Sequence, residues 1–598
     1  MNKKITYLIL ALWLICTNTL FAQEVPVSFS YPDSNNFGIT TTVGLMGCAW
    51  GDYDGDGDLD VFVAGLGGPS EFFRNDIVVG DSGKFVAVFG EEGIFNDPTG
   101  STSGAVFADF DGDGDLDLAI TNDDVAIYEN DGEGVLIDIT SSAVPANFIA
   151  TGNVPWCITA ADYDMDGYVD LIFNGGDIAM ELPTRVLRNN GDMTFSDDTD
   201  FTIGLSLNLE SWLLMFVDVD SDYDMDLFIG SIRNSTAEPN TVLINNGEGE
   251  LGWTDDLSGE LGLSTISGHW GDFDNDGDMD FYSIPFTGDA DGNAKLWLNN
   301  GDLTFADVTS DFGLDSTFGD SRAVVWGDVN NDGWLDLIVG RMSGANNVFI
   351  SDEGSSFTDF GPASGLQVFG RETRTVSLID YDNDGKLDAY LKGNGVMGWL
   401  LHNDTENGNN WIVVRPEATN ANTAAIGARI EVTAGGITQV RYVEAGASGH
   451  ANGNLWPHFG LGTATTIDTL KIFWPDGETV DIWAGFTDIN QYLDLVQGSG
   501  PNSIVDRPLN PNEYTLYQNF PNPFNPTTTI VFNLKKQDNV KIELMNTLGE
   551  VVKVIANGTY NAGLNLVPFN ASVLASGVYF YKITTSEFTD VKKLTLLK

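Results

Sequence analysis

Asp52-Tyr53-Asp54-Gly55-Asp56-Gly57-Asp58-Leu59-Asp60 places oxygen-bearing side chains at alternate positions around glycines. Six more stretches repeat the pattern, beginning at Asp109, Asp162, Asp218, Asp272, Asp328 and Asp380, at intervals of 57, 53, 56, 54, 56 and 52 residues. A period of this length is the mark of a repeat architecture. Thirty-one of the 87 acidic residues lie in the seven loops, so much of the charge excess is concentrated there.

The spacing suits calcium. Oxygens at alternate positions of a tightly coiled loop converge on one ion, and glycine at the sixth position permits the turn. Four or five carboxylates without a cation would repel one another. The expected ligands are the side chains at positions one, three, five and nine, with the backbone carbonyl of position seven. Loop one offers Asp52, Asp54, Asp56 and Asp60 with the carbonyl of Asp58; loop two offers Asp109, Asp111, Asp113 and Asp117 with that of Asp115. Loop three has Asp162, Asp164, Asp166 and Asp170 with Tyr168, and loop four has Asp218, Asp220, Asp222 and Asp226 with Asp224. Loop five has Asp272, Asp274, Asp276 and Asp280 with Asp278. Loop six has Asp328, Asn330, Asp332 and Asp336 with Trp334, and loop seven Asp380, Asp382, Asp384 and Asp388 with Lys386. Up to seven calcium ions are expected, one per repeat. Loops four and six are expected to be the weakest, because Tyr223 replaces the sixth-position glycine and Asn330 is neutral.

Short apolar runs flank each loop, such as Val324-Val325-Trp326 before loop six and Leu335-Asp336-Leu337-Ile338-Val339 across its end. Two more strands follow in each unit, as in Lys295 to Leu298 and Thr304 to Val308. Four strands in about 55 residues is the arithmetic of a β-propeller blade, with a linear solenoid as the alternative. The seventh unit lacks its fourth strand. Ser28-Phe29-Ser30-Tyr31-Pro32-Asp33 near the N-terminus matches the missing piece, which would close a ring and remove exposed edges. These repeats resemble the FG-GAP/VCBS-type family that also builds the integrin α-subunit head. The resemblance implies an all-β, seven-bladed propeller over residues 23–403, and a function in adhesion, lectin-like binding or occasionally polysaccharide cleavage.

Residues 1–22 read as an export signal. Lys3 and Lys4 precede the apolar run from Ile5 to Ile15, too short to span a membrane, and the segment ends in Ala22. No later stretch is apolar and long enough for a transmembrane helix. Cys48 and Cys157 lie in apolar surroundings and read as small buried side chains. Residues 404–496 read as a small β domain. Its Ala425-Ile426-Gly427-Ala428-Arg429, Gly446-Ala447-Ser448-Gly449 and His458-Phe459-Gly460-Leu461-Gly462 resemble the ASPIC/UnbV domain. A catalytic reading of Ser448 with His450 or His458 lacks a strand–elbow–helix context, and His269 and His402 look isolated. Residues 497–513 form a Pro/Gly/Asn-rich linker. Residues 514–598 alternate as a β-sandwich. Their Leu516-Tyr517-Gln518-Asn519-Phe520-Pro521-Asn522-Pro523-Phe524-Asn525-Pro526 and Ser576-Gly577-Val578-Tyr579-Phe580-Tyr581 resemble the type A sorting domain of the type IX secretion system. That implies a partner in the type IX machinery and release or display at the outer surface of a Gram-negative cell.

The 27 basic residues against 87 acidic ones give a net charge of −60, which argues against nucleic acid as a partner. Two functions remain: a surface or secreted binding module for glycans or proteins, and a secreted polysaccharide-degrading enzyme. The sequence holds no nucleophile elbow, zinc motif or cofactor fingerprint, so no catalytic residue is assigned. Six residues before each loop stand Met46, Ser103, Trp156, Trp212, Ile266, Arg322 and Arg374. In a propeller these positions ring the channel mouth away from the calcium loops. Trp156, Trp212, Arg322 and Arg374 are therefore the candidate ligand-binding residues, flat faces and paired donors suiting an anionic glycan or acidic peptide. The competing expectation is that both Trp are packed in the core and both Arg pair with Asp320 and Glu372.

Overall fold

Each loop joins two apolar strands, and each ninth-position aspartate begins the second of them. Ala105–Ala108 and Asp117–Ile120 flank loop two, and Ser321–Gly327 and Asp336–Arg341 flank loop six. Both faces of these strands are buried, which is why their sequences are continuously apolar rather than alternating. The computed structural model describes residues 25–597, apart from 31–38, 40–46, 77–84, 89–101, 149–154, 175–183, 200–210, 232–239, 253–260, 286–292, 315–319, 367–371, 506–513 and some shorter stretches, among them 447–450. The leader at 1–22, Met46, Ser448 and His450 lie outside the described residues.

Among the described residues, seven successive sheets each have four antiparallel strands, the first carrying a fifth, parallel strand from farther along the chain. Six use consecutive strands. In the last, Thr375–Ile379, Asp388–Lys392 and Trp399–Asn403 are completed by Phe29–Ser30, with Phe29 opposite Asn403 and Ser30 opposite His402. The last sheet also meets the first. Cys48 Sγ lies 3.3 Å from Ser377 Oγ, and the rings of Trp50 and Tyr390 meet edge to face at 5.6 Å. The sheets therefore form a closed ring, a propeller rather than a solenoid. Tight spacing between sheets needs glycine: a Cβ on Gly327 would come within 2.5 Å of Leu378 in the next sheet.

The second domain is a sandwich of two sheets. One holds His458–Gly462, Asn410–Glu417 and Gln491–Val496; the other is built on Ile437–Tyr442, Arg429–Ala434, Ile467–Phe473 and Thr479–Phe486. Its core is continuous with the ring: Ile412, Val414, Ile430 and Phe459 cluster with Val106, Phe110, Ile158 and Leu171. One segment enters the channel. Ala451–Asn452 pairs in parallel with Cys48–Ala49 on the inner edge of the first sheet, and Ala160 N donates to the Ala445 carbonyl at 3.0 Å. A cavity of about 140 Å³ remains between this plug and the channel wall, lined by Trp270, Trp326, Leu378, Glu444 and Trp456 among others.

The third domain is a β-sandwich with Phe532, Ile542, Tyr581 and Leu594 in its core. The expected linker is not free of structure. Ile504–Val505 pairs with Val480 and Thr479 of the second domain, and Tyr517 and Val531 pack on Phe473, Val480 and Ile482. Within the linker the backbone of Ile504–Val505 extends the sheet of the second domain, which the composition of the linker as a whole obscured.

Candidate functional site

The seven loops share one hydrogen-bond scheme. The first-position carboxylate accepts the sixth-position N–H, from Gly57 to Asp52 at 3.0 Å and from Gly277 to Asp272 at 3.2 Å. The fifth-position carboxylate accepts the seventh-position N–H, as from Asp115 to Asp113 and from Asp278 to Asp276, both at 3.0 Å. The ninth-position carboxylate is bound twice, by the second-position N–H and by an N–H at the end of the third strand. For Asp117 these donors are Phe110 at 2.9 Å and Asn130 at 2.8 Å. The ninth aspartate thus ties the loop to its own sheet as well as facing the loop interior. In loops one to four the carboxylates of positions one, three and nine each bring an oxygen within 4.8 Å of the other two.

Ionised, those three groups would repel by roughly 10 kcal/mol per loop at an effective dielectric of 20. The loops therefore hold protons or a cation. Burial, reinforced by neighbouring carboxylates, pushes Asp220 up to about 7 and both Asp162 and Asp222 up to about 8. Oxygens also stand without a partner: Oδ1 of the third-position residues Asp54, Asp220, Asp274 and Asp382 is buried and accepts no hydrogen bond. A hard, oxygen-liganded divalent cation fits this donor set, and calcium fits its size and irregularity. Residues at positions one, three and nine would hold it.

Tyr223 sits at the strained sixth position of loop four with φ of +75°, and its ring stacks on Phe473 of the second domain at 4.7 Å. The packing explains the side chain. The second domain covers the loop side of the ring through many such contacts. Arg415 Nη2 donates to the Gly57 carbonyl at 3.0 Å and Arg429 Nη2 to the Gly277 carbonyl at 3.1 Å. Tyr442 Oη donates to Asp218 at 2.9 Å, Tyr492 Oη to Asp380 at 2.7 Å, and Thr423 Oγ1 to Asp109. His458 lies 3.1 Å from the Gly385 carbonyl of loop seven. His269 and His402 are not isolated. His269 Nδ1 accepts the Trp326 N–H at 3.1 Å, and His402 lies between Asp382 and Asp404.

Asparagines ending the third strands were missed as functional residues. Asn130 Nδ2 donates to the Tyr53 carbonyl of the preceding loop at 2.7 Å, and Asn189 does the same to Phe110 at 2.7 Å. Asn245, Asn299, Asn403 and Asn75 repeat the contact with Tyr163, Val219, Val329 and Tyr381. Their recurrence before Asn-Gly or Asp-containing turns was the available signal.

Away from the loops, Trp156 and Trp212 are half-buried, with ring centroids 5.3 Å apart. Arg374 pairs with Glu372 at 3.2 Å, as one expectation had it, but Asp320 pairs with Arg341 at 2.8 Å. Arg322 is half-buried beside Arg374, which bears on it electrostatically. Ser103 and Ile266 are buried and take no part. Cys48 and Cys157 are buried thiols, pushed up to about 11 and about 12 mainly by burial, which disfavours the nucleophilic thiolate.

Comparison with known families matches FG-GAP-like repeats at residues 52–120, 109–173, 218–283, 286–339 and 328–391, an ASPIC and UnbV domain at 418–502, and a secretion system C-terminal sorting domain at 518–596. The chain carries FG-GAP repeats, an ASPIC/UnbV domain and a secretion-system sorting domain, in that order. Cartilage acidic protein 1 of Homo sapiens is 24% identical over 533 residues, covering 80% of this chain and 74% of the relative. That of Mus musculus is 25% identical over 516 residues, covering 78% and 74%. A solved BBS1N–ARL6DN complex is similar over 64% of this chain and 98% of that one, at 10% identity and a TM-score of 0.37, which bears on neither fold detail nor function. The sorting domain marks the protein for export to the outer surface or beyond. No helix among the described residues is long and apolar enough to cross a membrane.

Proposed function

We infer that the protein is an exported, calcium-loaded propeller that acts without catalysis as a binding module for a glycan or protein. The observation that carries this reading is the placement of the ASPIC/UnbV domain. It covers the loop side of the ring and sends Ala451–Asn452 into the channel. A ligand of the propeller is thereby directed to the opposite mouth or the outer rim. On that side the half-buried Trp156–Trp212 pair would supply a flat apolar face, and Arg322 with its neighbour Arg374, itself paired with Glu372, two guanidinium groups. Together they suit an anionic glycan or an acidic peptide. The expected result on a glycan array with and without calcium is binding of carboxylated or sulfated sugars. The double variant Arg322→Ala with Arg374→Ala should weaken that binding at least tenfold and leave the calcium-dependent melting temperature unchanged. Equal binding by the variant would refute the site, and new reducing ends or unsaturated sugars would favour an enzyme instead.

A further inference from the structure

The residue before each third-strand terminus is not the same kind in every repeat, and where it is basic it lies beside the carboxylates of its own loop. In order it is Arg74, Glu129, Arg188, Ile244, Leu298, Ile350 and His402. Arg188 Nη2 lies 2.6 Å from Asp164 Oδ2 and 3.0 Å from Asp166 Oδ2, the third and fifth positions of loop three. His402 Nε2 lies 3.2 Å from Asp382 Oδ2 and 3.9 Å from Asp384 Oδ2 in loop seven, where Lys386 Nζ adds a contact to Asp384 at 3.0 Å. Arg74 Nε stands 3.9 Å from Asp54 Oδ2 in loop one and is anchored by Asp76 at 2.7 Å. Loops four, five and six have an aliphatic side chain at this place. In loop two Glu129 adds a further negative charge beside Asp111.

A second residue sorts the repeats in the same way. Loops one, three and seven carry tyrosine at position two, namely Tyr53, Tyr163 and Tyr381; the other four carry Phe110, Val219, Phe273 and Val329. The tyrosines belong to the same clusters. Tyr163 Oη donates to Asp198 at 2.6 Å, and the Tyr381 ring meets His402 edge-on at 6.2 Å. Buried Oδ1 atoms with no hydrogen-bond partner occur in both groups, on Asp220 and the 5% exposed Asp224 in loop four and on Asp52, Asp54 and Asp58 in loop one. In loops one and seven the basic side chain lies by Oδ2 of Asp54 and Asp382, whose Oδ1 keeps no partner, and in loop seven the permanent charge is that of Lys386.

We propose that the loops form two classes of divalent-cation site: loops one, three and seven are partly neutralised by a cation of their own sheet and bind weakly, whereas loops two, four, five and six bind tightly, loop two most of all. The inference rests on the calcium reading and ranks the loops differently from their own sequences, which singled out four and six. A positive charge within about 4 Å of a ligand carboxylate opposes an incoming divalent ion and lowers its affinity by on the order of tenfold or more.

The test uses the full chain, freed of metal with chelator and titrated with calcium by native mass spectrometry and calorimetry. Four ions should bind first, and three more at concentrations at least tenfold higher. Arg188→Leu, which gives loop three the residue of loop five, should raise the tight class to five. Leu298→Arg should reduce it to three, and it keeps the proposal open to refutation if the first variant misfolds. Seven ions of equal affinity, or a tight class unchanged in both variants, would overturn the proposal. Binding of no ion at all would instead bring down the calcium reading on which it rests.

Discussion

Asn130 does three things with one side chain and one amide. Its N–H binds the ninth aspartate of its own loop, its Nδ2 reaches the Tyr53 carbonyl of the preceding sheet, and a weaker contact holds Leu116 O at 3.1 Å. The same residue type joins one sheet to the next at six of the seven joints; at the remaining one Ser351 keeps only the N–H contact to Asp336, and its hydroxyl accepts the local Gly354 N–H. Removing the amide strands a buried carbonyl, so Asn130→Ala should cost about 1–3 kcal/mol in urea unfolding. Ser351→Ala should cost less than half as much; equal losses would show that the asparagines do not carry the joints. The sequence displayed these asparagines plainly, but next to Gly and Asp they read as turn residues. Their second function depends on a carbonyl some 80 positions away, which no local pattern contains.

At the scale of the loop, the competition is between protons and metal. Without metal, Asp272, Asp220 and Asp224 are pushed up to about 7, and Asp162 and Asp222 to about 8, in each case first by burial; neighbouring carboxylates add to the shift, while the Arg441 guanidinium near Asp272, the Gly167 N–H on Asp162 and a hydrogen bond from Asp222 to Asp224 pull the other way. A carboxyl raised on folding stabilises the folded state fully below its unfolded value, near 3.8, and that contribution is lost as pH rises through the folded value. In chelator the melting temperature should therefore fall by several degrees between about pH 5 and pH 8. Excess calcium should raise it and flatten the profile, because the ion replaces the protons. A profile identical with and without calcium would count against metal in the loops. The regular spacing made the loops fully legible in sequence, while the cations lying over three of them come from the next hairpin and were not.

The whole molecule is more continuous than its composition suggests. The sequence divides the chain into three modules, yet contacts cross between them. Arg415 and Arg429 bind loop carbonyls of the ring, and Tyr517 and Val531 cover Phe473, Val480 and Ile482. Deleting residues 514–598 should trap the protein before it reaches the cell surface, as loss of a sorting module requires. It should also bare the Phe473–Val480–Ile482 patch, read as increased binding of a hydrophobic dye to a still-folded propeller. Normal surface display of the truncated chain would refute the sorting function. Normal display aside, unchanged dye binding would refute the docking.

The seam between Phe29–Ser30 and Trp399–Asn403 also sets an order of assembly. It brings together residues as far apart as Ser28 and Thr405, 377 positions along the chain. By the logarithmic law for loop closure this costs only about 2 kcal/mol more than closing a single 55-residue repeat. The obstacle is one of time: the N-terminal strand must wait for the last sheet, and until it arrives that sheet presents an unpaired edge. The seam is therefore the final step in closing the ring and the first place for it to reopen.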